Sequence, residues 1–458
     1  MVTGVCYLLE IAGPPSSGLR RASKKILIDC GLFKGTKELE QKNLEQFVFN
    51  PKEIDYAVVS HSHLDHVGRL PQLIKDGFKG KIFATPPTID FTRLILEDSV
   101  HILTEKAKKA GVVPIFGTKE IQEVMNHFVL VDYYQKTQIT DNIWLTLHDA
   151  GHILGSAIIE IEAENKKIVF SGDLGNPPAP LVRPPDFLKD ADYVVVESTY
   201  GDSNHEPAES CKEMIENAVE DTVARGGVLL IPSFALERTQ QLLYHLNSLI
   251  ENHRIPQVPI FIDSPLAMRI TESYKRYPQY YNQRAVAEID SGDDIFNFPG
   301  LKFTPTQKES KTINDIPSPK IIIAGSGMSQ GGRVVHHEVR YLSDPKTTLL
   351  LVSYQAEGTL GRKIADGAKK VEILDQEIEI NARIEKISGY SAHADQRFLM
   401  KWLKSFRKTG YVKDRRNGLV KIFVVQGEEK PANTLTSLIK DELGVESEVP
   451  KIGDVFEL

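Results

Sequence analysis

The run from His61 to His66 places three histidines and one aspartate within six residues. His61 and His63 are two positions apart, so in an extended segment their side chains point the same way and can bind one metal ion. Asp65 and His66 follow at the turn into a predicted helix, where they can serve a second metal ion nearby. The alternative is a set of solvated loop histidines. The spacing favours a metal centre.

Three further candidate ligands follow predicted strands elsewhere in the first 200 residues. His152 stands in the segment 149–156, where small neighbours allow close approach of the backbone, and Asp173 follows an apolar strand. Asp29 ends the apolar run 25–28 and suits two roles, capping the next turn and supporting a ligating histidine. Each of these residues alone is typical of an ordinary loop. Four such elements in this order, each after a strand, indicate one site.

The strands that must position these residues are short and alternate with helices. Residues 56–60 form an apolar run that leads into the histidine run, and residues 89–110 have apolar side chains at helical spacing. Polar residues at the carboxyl ends of short strands indicate an α/β scaffold with a site on its rim.

A second pattern begins near residue 200. Strands at 227–232 and 320–323 alternate with helices such as 236–250, which predicts a second, mostly parallel α/β domain. A chain of 458 residues also exceeds what one hydrophobic core usually holds. We therefore predict a division into three segments: 1–202, 203–385 and 386–458.

The composition is typical of a soluble globular protein. A net charge of −7, from 55 basic and 62 acidic side chains, argues against a protein that coats nucleic acid non-specifically, although a local basic cleft is compatible with it. Cys6, Cys30 and Cys211 are far apart and form no CxxC pair, which favours a reducing compartment. No run of about 18 apolar residues occurs. We expect a cytoplasmic protein that does not associate with a membrane.

In this order, Asp29, the histidine run, His152 and Asp173 resemble the successive metal motifs of the metallo-β-lactamase superfamily. The resemblance implies an αββα sandwich with two zinc ions. The implied ligands are His61, His63 and His152 for the first ion, Asp65 and His66 for the second, and Asp173 as the bridge. It also implies that a hydroxide held between the ions is the nucleophile, because two cations lower the pKa of bound water.

The rest of the chain resembles the β-CASP nucleases within this superfamily. The segments that carry this resemblance span most of the chain: 197–202, 232–240, 263–267, 325–328, 331–333, 354–361 and 391–395. The resemblance implies that a parallel α/β domain is inserted into the metallo-β-lactamase fold and forms a lid over a nucleic-acid strand. We expect an RNA-processing member of the prokaryotic type.

Glu197 and His393 match two further motifs of this family. A glutamate that accepts a hydrogen bond from an imidazole orients the ring and raises its pKa. The resemblance implies a catalytic role, in which His393 donates a proton to the leaving oxygen or steadies the transition-state phosphate. A structural pair that braces the domain junction is the alternative. Glutamate rather than aspartate at this motif resembles the RNA-cleaving branch.

One position departs from the family pattern. Family members carry a histidine in a Val-His-Gly-Glu context that binds the second metal ion, and here the run is Val425-Gln426-Gly427-Glu428. Gln426 offers a neutral amide oxygen, a poorer zinc ligand than imidazole. We expect a weaker second site, a site that prefers a harder ion such as manganese, or a water in the gap. DNA-directed relatives also lack this histidine.

Candidate RNA contacts lie in the second domain. Arg238 and Arg333 are phosphate-clamp candidates, because a guanidinium binds phosphate through two parallel hydrogen bonds. Ser326 and the backbone of Gly327 can form an anion nest. A basic cluster over residues 401–416 has two interpretations, an RNA contact or a solvated helix face.

We predict a zinc-dependent ribonuclease that hydrolyses the phosphodiester bonds of single-stranded RNA. A DNA nuclease of the same fold is the first alternative, and Gln426 keeps it open. A catalytically weakened RNA-binding subunit is the second, although the nearly complete ligand set argues against it. Homodimers are common among such enzymes, but the sequence carries no sign of one. The mode of cleavage and the physiological RNA are not predicted.

Overall fold

The computed structural model describes residues 4–12, 23–35, 37–110, 114–206, 209–406 and 419–458. These residues fall into two units. Unit 1 takes the described part of 1–177, 184–204 and 392–458, and unit 2 takes that of 178–183 and 205–391. The domain boundaries predicted from the sequence stay a prediction. The basic cluster beyond residue 406 lies outside the described residues.

The first sheet of unit 1 is built from short apolar strands. In spatial order they are β1 (Tyr7–Ile11), β2 (Lys24–Ile28), β3 (Tyr56–Val58), β4 (Lys81–Ala84) and β5 (Phe128–Leu130). The helices of this part are α1 (Lys37–Gln41), α2 (Leu64–Val67), α3 (Leu70–Lys75), α4 (Pro86–Ala110) and α5 (Thr118–His127). The first two strands pair antiparallel, and β2 to β5 are parallel. The carboxyl ends of β2 and β3 therefore meet at one edge.

The second sheet of unit 1 begins with an antiparallel meander. Its strands along this part of the chain are β6 (Thr137–Thr140), β7 (Ile143–Asp149), β8 (Ala157–Ala163), β9 (Lys166–Phe170) and β10 (Tyr193–Glu197). β6 to β9 are antiparallel neighbours, and β10 lies parallel to β9. His152 lies in the loop between β7 and β8, and Asp173 follows β9.

Unit 2 is the mostly parallel α/β unit that the sequence predicts. Its strands are β11 (Val228–Pro232), β12 (Ile260–Asp263), β13 (Leu301–Phe303), β14 (Lys320–Ala324), β15 (Thr348–Leu351), β16 (Lys370–Ile373), β17 (Gln376–Glu379) and β18 (Arg383–Lys386). Its helices are α6 (Glu209–Ala224), α7 (Arg238–Glu251), α8 (Pro265–Tyr274), α9 (Gln283–Asp290), α10 (Gln307–Thr312), α11 (Val334–Tyr341) and α12 (Leu360–Ala365). Six strands form a parallel sheet in the order β13-β12-β14-β11-β15-β18, and β16 and β17 form a separate hairpin.

The end of the chain returns to unit 1 and completes its second sheet. The returning elements are α13 (Gln396–Leu403), β19 (Lys421–Val425), α14 (Glu429–Leu443) and β20 (Glu446–Glu448). β19 lies parallel to β10 with Val425 opposite Glu197, so the residue after each strand emerges at the same edge. The completed sheet has the order β20-β19-β10-β9-β8-β7-β6.

Unit 1 is layered as an αββα sandwich. Trp402 of α13 and Leu435 of α14 are buried against Val194 on one face of the seven-stranded sheet. Helices α3 and α5 pack in the same way on the five-stranded sheet, through a cluster that includes Leu73. Burying such side chains stabilises the fold by roughly 1.5–3 kcal/mol each. The predicted fold class is confirmed. Among the described residues, no helix combines the length and apolar character needed to cross a membrane.

Candidate metal centre

The histidine run begins just after β3 and turns at once into α2. The backbone of His63 is still extended (φ −63°, ψ 148°), and its carbonyl accepts a hydrogen bond from the amide of His66 at 2.9 Å. The amide of Cys30 in turn donates to the carbonyl of His66 at 2.7 Å, which ties this turn to the segment after β2. The run is therefore held by its own backbone and by its neighbour in the sheet.

Four side chains from three loops converge beside this turn. Nε2 of His61 lies 3.0 Å from Nδ1 of His63, which lies 3.2 Å from Nε2 of His152. Oδ2 of Asp173 lies 3.4 Å from Nε2 of His61 and 3.5 Å from Nε2 of His152. Tetrahedral ligands at about 2.0–2.1 Å from a zinc ion stand roughly 3.3–3.4 Å from one another. Four of the six separations are close to that spacing, and all four atoms lie within 4.8 Å of one another, so the group can hold one such ion.

The protonation of these histidines also suits a metal. Burial lowers the pKa of His61, of His152 and of His63, the last to about 4. At neutral pH the rings therefore stay neutral and keep a free lone pair. A metal ion binds imidazole in that form.

Hydrogen bonds to the other ring nitrogens decide which lone pair faces the cluster. Nδ1 of His152 lies 2.9 Å from the carbonyl oxygen of Ala392, which can only accept, so the lone pair of His152 is on Nε2. Nδ1 of His61 lies 3.1 Å from Oγ of Ser60. That hydroxyl donates to Asp29 at 2.7 Å and is left to accept from His61. Both rings thus present Nε2 to the cluster.

Asp29 stands at the end of β2 in a left-handed backbone conformation (φ 57°). Its carboxylate accepts from the amide of Ser60 and from Nδ1 of His66, each at 2.7 Å. With the Ser60 hydroxyl, three donors converge on this one carboxylate. This arrangement favours the supporting role over the simple cap, since the carboxylate orients two segments of the cluster.

Asp173 is almost completely buried (2% exposed) and follows a glycine that the fold requires. Gly172 has a φ of 55°, and a Cβ there would lie 2.9 Å from the Cβ of Ser60. Within the described residues, Oδ1 of Asp173 has no hydrogen-bond partner, and Nε2 of His66 faces it at 3.3 Å. A buried carboxylate oxygen without a partner is costly unless a cation neutralises it. The orphaned oxygen and the neutral histidines together fit a divalent cation.

The residues expected to hold a second ion are arranged differently. Nε2 of His66 lies 3.3 Å from Oδ1 of Asp173 and 3.9 Å from Oδ2 of Asp65. The side-chain nitrogen Nε2 of Gln426 lies 2.9 Å from the same atom of His66. Among the described residues, the groups compact enough to hold an ion are His61, His63, His152 and Asp173, and Asp173, Glu197 and His393. Asp65 and His66 belong to neither group.

Glu197, which is buried, and His393, which is part-buried, form a pair beside Asp173. Oε2 of Glu197 accepts from Nδ1 of His393 at 3.0 Å, and Oε1 accepts from the amide of Leu174 at 2.6 Å. Burial raises the pKa of Glu197. Burial opposes the charge on His393, but Glu197 and Asp173 outweigh it and raise the pKa of His393 to about 9. At neutral pH the His393 imidazole is therefore protonated beside the candidate ligands.

Four candidate RNA contacts, Arg238, Arg333, Ser326 and Gly327, lie in unit 2. Arg333 donates to Asp263 at 2.6 Å and to Pro305 at 2.8 Å, so its guanidinium holds the loop after β13. Arg238 is buried, donates to Gln241 and lies over the ring of Tyr390. The Ser326 hydroxyl accepts from the amide of Gln330, and the Gly327 carbonyl accepts from Gln355. Their contact with RNA stays a prediction.

Two contributors were missed in the sequence. Ser60 joins Asp29 to His61, and the carbonyl of Ala392 sets the tautomer of His152. The position of Ser60 directly before the histidine run was a weak indication of its role. Nothing in the sequence indicates the role of the Ala392 carbonyl, which lies 240 residues from its partner His152.

Comparison with known proteins divides the chain among three family models. Residues 19–176 match a metallo-beta-lactamase superfamily domain, 239–364 a Beta-Casp domain, and 377–450 a Zn-dependent metallo-hydrolase RNA specificity domain. Ribonuclease TTHA0252 of Thermus thermophilus is 35% identical over 439 residues, which cover 96% of this chain and 93% of that protein. The chain belongs to the β-CASP family of the metallo-β-lactamase superfamily.

Two other relatives are similar to most of this chain. An RNase J-like protein of Methanocaldococcus jannaschii is 31% identical over 95% of this chain and 94% of its own length. Transcription termination factor FttA of Methanosarcina mazei is 31% identical over 94% of this chain and 67% of its own length, so the chain spans about two thirds of that protein. The predicted β-CASP membership is confirmed, as is the prediction of a metal-dependent enzyme of the nuclease class.

Proposed function

We propose that this β-CASP protein is a zinc-dependent ribonuclease that hydrolyses phosphodiester bonds of single-stranded RNA. The observation that carries the proposal is the convergence of His61, His63, His152 and Asp173, whose ligand atoms all lie within 4.8 Å of one another, four of the pairs at 3.0–3.5 Å. Three imidazoles and one carboxylate suit zinc better than manganese or magnesium, which favour oxygen ligands. The names of the relatives and the RNA specificity match supply the substrate class.

The chemistry divides between the ion and the protein. A zinc ion bound here would lower the pKa of water and polarise a phosphoryl oxygen. Asp173 would anchor that ion, and Asp65, whose carboxylate is partly exposed at the same edge, would orient the attacking water. Asp29 and Ser60 would keep the imidazole lone pairs directed inward.

The pair of Glu197 and His393 is proposed to handle the leaving group. Glu197 holds Nδ1 of His393 at 3.0 Å, which orients the ring beside Asp173. A positioned imidazolium can donate a proton to the departing oxygen or a hydrogen bond to the phosphate. The burial of Glu197 and its second bond to Leu174 fix the orientation of the ring.

Cleavage of matched labelled RNA and DNA strands tests the proposal. RNA should be cut in a zinc-dependent way, and His63→Ala should abolish the cleavage because it removes a ligand. His101→Ala is the matched control, since His101 is exposed on α4 and should keep full activity. Cleavage that survives in purified His63→Ala protein would contradict the metal mechanism.

DNA nuclease activity is the second candidate, favoured by one observation, the glutamine at position 426. Faster cleavage of the DNA strand than of the RNA strand would select it. The predicted cytoplasmic location and a homodimer also stay predictions.

A further inference from the structure

We infer that Gln426 closes the second metal position, so that this chain binds one metal ion tightly rather than two. The inference rests on the proposed metal centre and concerns only the half of it around His66. It starts from one contact, the 2.9 Å between Nε2 of Gln426 and Nε2 of His66.

The hydrogen bond on the far side of the ring sets the direction of this contact. Nδ1 of His66 lies 2.7 Å from Oδ2 of Asp29. A carboxylate can only accept, so Nδ1 carries a proton, and in the neutral ring, the form that a metal ion binds, the lone pair is on Nε2. An amide nitrogen can only donate. Gln426 therefore directs a hydrogen at the lone pair that a metal ion would need.

The backbone around Gln426 keeps its side chain in this place. Gln426 follows β19 in a left-handed conformation (φ 48°), and its carbonyl accepts from Oγ1 of Thr199 at 3.3 Å. The hydroxyl of Ser198 donates to the carbonyl of Val425 at 2.7 Å. A Cβ on residue 427 would lie 2.3 Å from the Ser198 hydroxyl oxygen, so only glycine fits at this position. The backbone contacts between the segments that follow β10 and β19 therefore hold Gln426 close to His66.

The remaining atoms of a second site are already near. Oδ1 of Asp173 is buried without a hydrogen-bond partner among the described residues and lies 3.3 Å from Nε2 of His66. Oδ2 of Asp65 lies 3.9 Å from the same nitrogen. A zinc ion bound by protein usually takes four ligands, or three with one position left for water. When Gln426 occupies the lone pair of His66, only the carboxylates of Asp65 and Asp173 remain as ligands for a second ion. The identity of residue 426 therefore decides whether the centre holds one metal ion or two.

Metal content measured on the full chain tests this inference. After dialysis against metal-free buffer, wild-type protein should retain about one zinc per chain and Gln426→His about two. Gln426→Glu has the shape of the native residue and adds a carboxylate ligand, so it should also gain a second ion. Gln376→His is the matched control, because it adds a histidine on the exposed strand β17 and should stay at one.

Cobalt substitution gives a readout that does not depend on activity. Two ions that share the carboxylate of Asp173 couple magnetically, whereas a single ion gives an uncoupled paramagnetic signal. We expect the uncoupled signal from wild-type protein and the coupled one from Gln426→His. Circular dichroism reports whether each variant is folded, and Gln426→Glu decides the question if the histidine variant is not.

Two results would overturn the inference. One is a wild-type chain that keeps two ions with equal resistance to a chelator. The other is a pair of folded variants, with histidine and with glutamate, that both stay at one ion. Neither result depends on RNA cleavage. The metal count can therefore be confirmed if the protein does not cleave RNA, and it can be contradicted if the protein does.

Discussion

Nδ1 of His152 hydrogen-bonds the carbonyl oxygen of Ala392 at 2.9 Å, across 240 residues of sequence. Ala392 directly precedes His393. The same short segment therefore sets the tautomer of His152, a proposed metal ligand, and carries His393, the proposed acid. A metal ion held by His152 would therefore stabilise the return of the chain to unit 1.

Removing the metal should lower the melting temperature of the protein. Anything that binds only the folded state stabilises it, by about 2.7 kcal/mol when the free ligand is at 100 times its dissociation constant. Differential scanning fluorimetry with and without a chelator measures the shift. His63→Ala should show no shift and His101→Ala the full one. An equal shift in His63→Ala would place the stabilising ion elsewhere.

Glu197→Gln should slow cleavage without emptying the metal site. A glutamine can accept from the amide of Leu174, but its other group is then a donor that faces Nδ1 of His393. Loss of a positioned proton donor costs typically 10²–10⁴-fold in rate. Single-turnover cleavage gives the rate, fluorescence anisotropy the RNA affinity, and mass spectrometry the zinc content. A structural pair would instead lower stability and leave the rate of the folded protein unchanged.

Asp29→Asn should weaken the metal centre through its neighbours. All three partners of Asp29 are donors, two from Ser60 and one from His66, so an asparagine NH₂ group must oppose at least one of them. Substitution of such supporting groups typically costs 10–100-fold in metal affinity or activity. Chelator competition measures the affinity. Asp375→Asn, in the exposed turn between β16 and β17, is the control and should match wild type.

Asp263 should give unit 2 an acid-sensitive contribution to stability. Burial raises the pKa of Asp263, but hydrogen bonds from His337, Ser310, Thr304 and Arg333 outweigh it and lower that pKa to about 2. Because the folded-state pKa lies below the unfolded value of about 3.9, the stabilisation is complete above that pH and is lost as the pH falls towards 2.

The expected size follows from this shift. About two pKa units correspond to roughly 2–3 kcal/mol of the free energy of unfolding. Urea unfolding of Asp263→Asn should show that loss at pH 7 and a smaller dependence on pH below about 4. Asp290→Asn, exposed at the end of α9, should behave as wild type. An Asp263→Asn curve parallel to that of wild type across the acid range would contradict the prediction.

The sequence by itself determined the parts of this protein that depend on local spacing. The alternation of His61 and His63 after an apolar strand predicted side chains on one side of one loop. Adjacent residues of a helix cannot share a face, and on α11 His336 is exposed while His337 is buried. The apolar periodicity of short strands and longer βα units predicted the α/β class. Backbone geometry sets the side-chain period of a strand and of a helix, and these periods do not depend on the tertiary contacts of the element.

The tertiary structure decided what depends on contacts between distant segments. It joined Gln426 to the ring of His66 across 360 residues, whereas the sequence showed only that a histidine was missing. It also engaged Arg333, a candidate for phosphate, with the carboxylate of Asp263. Hydrogen-bond partners depend on where strand ends meet in the sheets, and a residue's type and local spacing carry no information about that meeting.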